Sequence, residues 1–300
     1  MTTNPLEAHL ETADIARFWR AWDASTPDTA REVFQREYFG AGSSGLQDFI
    51  ASRIGSVEAL LNTVNSRPQY FAAIRADTLR VESIRAEIIL SFQKLKEIFE
   101  DAVFPDVHFL IGRMNSGGTL SERGIQIGME FFSGDAETPL EELSEWERSV
   151  VKPLSALPMI VAHELMHYQH QFFFNKSNNH STTSEFTLLE HVYSEGIAEF
   201  FGELISGGVI NDRLHAYGRA HEAELWRRFQ LEMHGSDLSG WLYQGDRAKN
   251  EPADLGYFIG YRIVQAYYER ANDPQAALRE LLTTRDATKI LRDSGYNPAL

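Results

Sequence analysis

The residues most suited to chemistry form an HExxH motif at positions 163–167. On an α-helix, residues four apart are rotated by only about 40° and separated by about 6 Å, so the imidazoles of His163 and His167 can bind one metal ion. The helix predicted around them is apolar nearly all round, and burying these groups there without a compensating partner would be costly. The motif therefore predicts a single zinc ion, with Glu164 beside it as the general base of a hydrolysis.

A catalytic zinc site usually has three protein ligands and an open fourth position, so one more ligand must lie outside the motif. His170 is on the same helix face, but it lies about 10 Å beyond His163 along the axis, which makes it a neighbour of the site rather than a ligand. His180 lies in a polar loop that could bring it to the ion. The helix predicted after this loop offers further candidates.

His191, Glu195 and Glu199 recur at four-residue steps and therefore share one face of that helix. The run Tyr-Ser-Glu-Gly-Ile-Ala-Glu at 193–199 resembles the second motif of the gluzincin metallopeptidases, in which the Glu before Gly-x-Ala is the third zinc ligand. The resemblance implies that Glu195 is the third ligand. It also implies that Glu199 orients a zinc-bound His from behind.

The resemblance extends in pattern over residues 105–265. The segment 115–118 and the run Gly-Tyr-Phe-Ile-Gly-Tyr at 256–261 are similar to a bacterial family of predicted zinc-dependent proteases of unknown substrate, which is akin to gliding-motility lipoproteins. This chain has no cysteine to carry the lipid of those lipoproteins. The resemblance implies a zinc metallopeptidase, an endopeptidase or an aminopeptidase, that acts on a peptide or protein.

A hydrolysis of this kind also needs a hydrogen-bond donor for the developing oxyanion. Tyr257 and Tyr261 follow Glu195 at a separation similar to that of the transition-state Tyr in some gluzincins. In an amphipathic helix such residues are more often part of the core. Weaker candidates for the same role are Arg262, His221 and His234.

The elements that must position these residues are mostly helical. Short β-type runs at 107–111 and 124–132, joined by a turn-rich segment, predict two paired strands. By analogy with zincins, the second of these strands is the candidate edge on which an extended substrate docks. Helical periodicity or capping predicts helices at 14–23, from 26, at 46–64, 81–99, from 153 or 158 to 175, at 184–205 with a cap at 182–185, at 255–270 and from 274.

These patterns predict an α+β fold that is predominantly α-helical and zincin-like, with a small β-sheet packed beside the HExxH helix. Residues 1–104 are expected to form a helical N-terminal region, and residues 105–300 a zincin-like catalytic region. The two could also form one continuous domain.

Composition limits the possible partners and ligands. The net charge of −15, from 43 acidic and 28 basic residues, repels nucleic acid and anionic lipid. No apolar run approaches the ~20 residues that cross a bilayer, and the first residues lack a basic or apolar leader, so a cytoplasmic protein is expected. The absence of Cys excludes disulfides and thiolate ligands, so His and carboxylate groups must hold any metal.

Two other functions are compatible with these residues. The protein could be a zinc hydrolase of a non-peptide amide. It could also be a non-enzymatic binding module with a structural zinc ion, in which case His170, His180 or His191 would have to supply a fourth ligand. The oligomeric state is left open by the sequence.

Overall fold

The computed structural model describes residues 1–177 and 186–298. The chain is divided into two compact units. The boundary at Glu164 lies inside one continuous helix, Leu157–Ser177, which carries the HExxH motif. Unit 1 comprises Met1–Gln93 and Val103–Glu164, and unit 2 comprises Lys94–Ala102 and Leu165–Leu300.

Helices make up most of residues 1–104, as predicted. The apolar stripe predicted over 81–99 is confirmed as core, because Ile88, Phe92 and Leu95 are fully buried, although its first turn is a 3-10 helix rather than an α-helix. The helix predicted from Thr26 instead begins at Ala30. The helices are α1 Ala13–Ala24, α2 Ala30–Phe34, α3 Ser44–Phe49, α4 Val57–Ser66, α5 Pro68–Leu79, α6 Arg85–Ile98, α7 Glu145–Val150 and α8 Leu157–Ser177, of which α6 and α8 continue into unit 2.

Within residues 1–177, four short strands form one sheet in the order β1-β2-β4-β3. They are β1 Leu10–Glu11, β2 Val107–Leu110, β3 Gly118–Ser121 and β4 Gly124–Gly128. The predicted pairing of β2 with β4 is confirmed, and it is parallel. The prediction that the second run is an edge strand is wrong: the turn-rich segment leads into β3, which pairs antiparallel with β4 and takes the edge position.

A buried carboxylate fixes the segment between β2 and β3. Glu130 has no solvent exposure, and its two carboxylate oxygens accept hydrogen bonds from the backbone N–H groups of Gly112 (2.8 Å) and Met114 (3.2 Å). Met114 has a left-handed φ of 58°. Burial raises the pKa of Glu130 from 4.5 to about 7, and the two N–H groups oppose this rise. The backbone segment that leads into the edge strand β3 is therefore held by one buried carboxyl group.

The raised pKa of Glu130 makes stability depend on pH. Between pH 4.5 and about 7 the unfolded state releases this proton while the folded state keeps it, so wild-type stability falls over this range and the loss is complete above it. Since one pKa unit corresponds to about 1.4 kcal/mol, we expect the wild type to lose about 3 kcal/mol relative to Glu130→Gln. Urea unfolding of both proteins at several pH values measures the difference. A Glu87→Gln variant, which changes an exposed Glu, should show no such trend.

Unit 2 consists of helices. Their bounds are α9 Leu188–Ser206, α10 Asp212–Ala220, α11 Glu222–Glu232, α12 Gly256–Arg270, α13 Pro274–Thr283 and α14 Ala287–Ser294. A capping box formed by Thr187 and Glu190 starts α9, and Gly207 ends it with a φ of 83°. The cap predicted at 182–185 lies outside the described residues, and the last predicted helix is two helices, α13 and α14. No helix in the described ranges is long and apolar enough to span a membrane.

Two glycines let α9 and α12 approach each other at backbone distance. A Cβ atom built on Gly196 would lie 2.6 Å from the Cα atom of Gly260, and one built on Gly260 would lie 2.9 Å from the Cα atom of Gly196. Real Cβ atoms do not make contacts this short. The Gly that follows Glu195 in the second motif therefore has a packing role, because it sets the position of α12 against the helix that carries Glu195.

We expect Gly196→Ala to destabilise the protein despite the higher helix propensity of Ala. Propensity alone would favour the variant by about 1 kcal/mol, whereas overpacking costs about 1–3 kcal/mol and more against rigid backbone. Chemical denaturation should therefore show a lower free energy of unfolding. A matched control is Gly240→Ala, where the nearest atom to the new Cβ is 3.7 Å away. Equal stability of the two variants would contradict the proposed packing role of Gly196.

Candidate metal centre

Three side chains from the two motifs converge. The ligand atoms of His163, His167 and Glu195 all lie within 4.8 Å of one another, and this group could bind a metal ion. His163 and Glu195 are buried, with 5% and 6% exposure, and His167 is half-buried. The two His residues are one turn apart on α8, and Glu195 lies on α9.

The donor atoms suit zinc in identity and spacing. Two imidazoles and a carboxylate are a ligand set that catalytic zinc sites use. The Nε2 atom of His167 lies 3.0 Å from the Oε2 atom of Glu195. Two ligand atoms that bind one tetrahedral ion at about 2.0–2.2 Å lie about 3.3 Å from each other. The side chains of His167 and Glu195 would therefore have to move by only a few tenths of an ångström to bind the same ion. The residues present therefore fit the zinc ion that the sequence predicts.

Glu164 lies on α8 where the edge strand of unit 1 packs against it. The side chain is 7% exposed. A Cβ atom on Gly118, the first residue of β3, would lie 2.7 Å from both Cγ and Cδ of Glu164. The strand can approach the carboxylate this closely only because residue 118 has no side chain. The small sheet thus lies beside the HExxH helix, as the fold prediction requires.

A tyrosine that sequence reasoning missed contacts the third candidate ligand. The hydroxyl of Tyr243 donates a hydrogen bond of 2.8 Å to the Oε1 atom of Glu195. Tyr243 lies in the loop between α11 and α12, 53% exposed and with a left-handed φ of 56°. No spacing pattern relates this loop residue to Glu195, so nothing in the sequence signals the contact.

His170 lies in a polar chain beside His167. Its Nδ1 atom is 3.4 Å from the Ser194 hydroxyl, which in turn is 3.5 Å from Nδ1 of His167. Its Nε2 atom is 3.4 Å from the carbonyl oxygen of Thr284. Burial lowers the pKa of His170 to about 4, so the ring is neutral at physiological pH. These contacts place it beside the ligand group, while the group itself consists of the other three residues.

The two predicted oxyanion donors have different surroundings. Burial raises the pKa of Tyr257 well above its ordinary value, and the Glu195 carboxylate raises it further, so the hydroxyl keeps its proton. Tyr261, one turn later on α12, packs its ring on His215 with a centroid distance of 4.8 Å, and burial together with the Glu203 carboxylate raises its pKa. The electrostatic link to Glu195 therefore distinguishes Tyr257 from Tyr261.

The remaining candidates have other neighbours. Glu199 is buried, and its Oε2 atom lies 3.4 Å from Nε2 of His215. His180 lies outside the described residues, and His234 is exposed. Three others contact residues that are not candidate ligands: His191 with the Phe186 ring, His221 with the Tyr217 ring and Arg262 with Glu222.

Comparison with known proteins adds one match. Residues 147–292 match the model of a family described as a predicted Zn-dependent protease (DUF2268). This match confirms the resemblance to a family of predicted zinc-dependent proteases, and the matched segment contains HExxH, Glu195 and both candidate tyrosines. No curated protein and no solved structure matches the chain significantly.

The close approach of Gly118 to Glu164 predicts how a small substitution acts. In Gly118→Ala the new methyl group meets a flexible side chain rather than backbone, so we expect Glu164 to move and the fold to persist. Misplacing a catalytic group by about 1 Å can cost about 10²-fold in rate. Peptide turnover should fall by that order while bound zinc and the thermal midpoint stay at wild-type values.

A neighbouring glycine provides the control for this prediction. In Gly117→Ala the new methyl group would meet only aromatic rings, the nearest atoms being 3.3 Å away on Phe132. This variant should retain most of the activity. Wild-type turnover in Gly118→Ala would show that Glu164 is not constrained by the strand.

Proposed function

We propose that the protein is a zinc-dependent metallopeptidase of the gluzincin type, with one zinc ion held by His163, His167 and Glu195. The strongest support is that the ligand atoms of these three residues, which come from the two sequence motifs, lie close together. Glu164, the residue after His163, is buried. The match to a family described as a predicted Zn-dependent protease supports the zinc dependence and the protease activity.

The roles of the residues follow from their charge and position. His163, His167 and Glu195 would hold the zinc ion, which would supply Lewis acidity and make a water molecule acidic near neutral pH. Glu164 accepts the proton of the attacking water and passes it to the leaving amine. Glu199 is assigned the orienting of a zinc-bound His, as the resemblance implies, and its carboxylate also contacts His215.

Tyr257 is the better of the two candidate donors to the oxyanion. Burial and the Glu195 carboxylate raise the pKa of its hydroxyl, so it keeps its proton at neutral pH. The acidic group that adds to the effect of burial on the pKa of Tyr261 is Glu203, which is not a candidate ligand. A neutral hydroxyl can donate a hydrogen bond to the charge that develops on the substrate carbonyl oxygen. Tyr261 then serves the packing of α12.

The edge strand favours a peptide over a smaller amide. In the described part of the chain β3 is paired only with β4, so its other side can accept an extended peptide by backbone hydrogen bonding. The strand lies against Glu164 through Gly118. A substrate strand added there would run past the general base.

A structural zinc site is the less favoured alternative. Such a site usually has four protein ligands. Across residues 1–177 and 186–298, the candidate group contains three residues and no fourth His, Asp or Glu. With three protein ligands, a tetrahedral zinc ion would keep its fourth coordination position open for substrate or water.

Two substitutions separate binding of the metal from catalysis. Glu164→Gln should keep bound zinc and lower kcat by about 10²–10⁴-fold, because the general base is lost and the ligands remain. Glu195→Ala should weaken zinc itself. Metal analysis after dialysis and mass spectrometry of a peptide mixture measure both properties, with Glu87→Gln as an exposed control.

The outcomes discriminate among the functions considered. Full activity in Glu164→Gln would contradict the proposed role of Glu164 as the general base. Retained tight zinc in Glu195→Ala would move the third ligand to another residue. Zinc without cleavage of any peptide in the wild type would favour the non-peptide or structural alternative.

A further inference from the structure

The two oxygens of the Glu195 carboxylate have different neighbours. The Oε2 atom faces Nε2 of His167 at 3.0 Å, inside the ligand group. The Oε1 atom accepts the hydrogen bond of 2.8 Å from the Tyr243 hydroxyl. Because a carboxylate can turn about its Cγ–Cδ bond, a fixed donor on one oxygen determines which oxygen faces the ion.

The loop that carries Tyr243 is built to hold it in place. The backbone N–H of Gln244 donates to the Asp254 side chain (2.7 Å), and the N–H of Asp254 donates to the Gln244 side chain (2.8 Å). This reciprocal pair closes the part of the loop from 244 to 254, which directly follows Tyr243. The preceding Trp241 and Leu242 are each only 1% exposed, so they anchor the loop in the core of unit 2.

The backbone of this loop is strained at the residue that reaches Glu195. Tyr243 has a φ of 56° and Asp254 a φ of 67°, in the left-handed region that favours glycine. Side chains other than glycine adopt it at a cost in free energy and persist there only where the surroundings enforce it. A half-exposed tyrosine needs no such conformation for packing. Its direct partner is a candidate metal ligand.

We propose that Tyr243 is a positioning residue for Glu195: its hydroxyl holds Oε1, so that Oε2 alone faces the metal and the second oxygen does not occupy the position that substrate and water need. This inference rests on the proposed function, because it assumes that Glu195 is a ligand. Partners of this kind behind a ligand typically change metal affinity by 10–100-fold when they are removed.

The test is Tyr243→Phe, which removes the hydroxyl and leaves the ring. We expect zinc affinity, measured by competition with a chelating dye, to fall about tenfold. With Co²⁺ as a spectroscopic probe, we expect the visible absorption to weaken, because the released carboxylate can bind through both oxygens and raise the coordination number. Circular dichroism and the thermal midpoint should match the wild type, since the ring of residue 243 is largely outside the core.

A second tyrosine in unit 2 gives a matched control. The hydroxyl of Tyr267 donates to the Glu280 carboxylate, and neither residue belongs to the ligand group. Tyr267→Phe should leave zinc affinity within twofold of the wild type and the Co²⁺ spectrum unchanged. The proposal is overturned if Tyr243→Phe gives the same result as this control.

The zinc affinity and the Co²⁺ spectrum test the role of Tyr243 separately from the proposed peptidase function. Both measurements concern metal binding and need no turnover. A wild type that binds zinc but cleaves no peptide would contradict the peptidase function alone, since the ratio of zinc affinities would still test Tyr243. A wild type that binds neither Zn²⁺ nor Co²⁺ would overturn both.

Discussion

The cost of burying ionisable groups on apolar helices is the constraint on which the site depends. His163, Glu164, Glu195 and Glu199 are each less than 10% exposed, on helices whose other buried positions are mostly Leu, Ile, Val, Ala and Phe. Such groups are retained inside a protein only when charge or hydrogen-bonding partners compensate for the loss of water. A metal ion held by the candidate ligands would compensate for two of these groups, His163 and Glu195. The same need for compensation accounts for the polar residues Tyr243, which contacts Glu195, and Ser194, which contacts His167.

Glycine determines how closely the elements around the candidate site approach. Gly118 allows the edge strand to pack closely against Glu164, and Gly196 and Gly260 allow α12 to pack closely against α9. In each case a methyl group would take space that a functional side chain or a helix backbone now fills. The second motif therefore combines two requirements in adjacent residues, since Glu195 is a candidate ligand and Gly196 permits the close contact between α9 and α12.

The edge strand β3 and the candidate ligand Glu195 are each held in place by a separate local set of hydrogen bonds. A buried Glu130 holds the segment before β3 through two backbone N–H groups, and the Gln244–Asp254 pair holds the loop behind Glu195. Both segments contain non-glycine residues with left-handed φ, namely Met114, Tyr243 and Asp254. Strain of this kind is concentrated here in the two segments that lead to the residues proposed to act.

The sequence by itself determined the features that depend on local spacing. Four-residue steps along one helix indicated His163 and His167 as candidate ligands, and the periodicity of residues 81–99 identified a core stripe. Spacing left His191, Glu195 and Glu199 open as the third ligand, and the resemblance of the motif at 193–199 favoured Glu195. The tertiary structure decided what depends on residues far apart in the chain. It placed β3 rather than β4 at the sheet edge, brought Gly118 to Glu164, packed the Tyr261 ring on His215 and brought Tyr243 to Glu195. The reason is physical: helical geometry fixes the relation between residues three or four apart, whereas contacts across the fold depend on packing that no short pattern encodes.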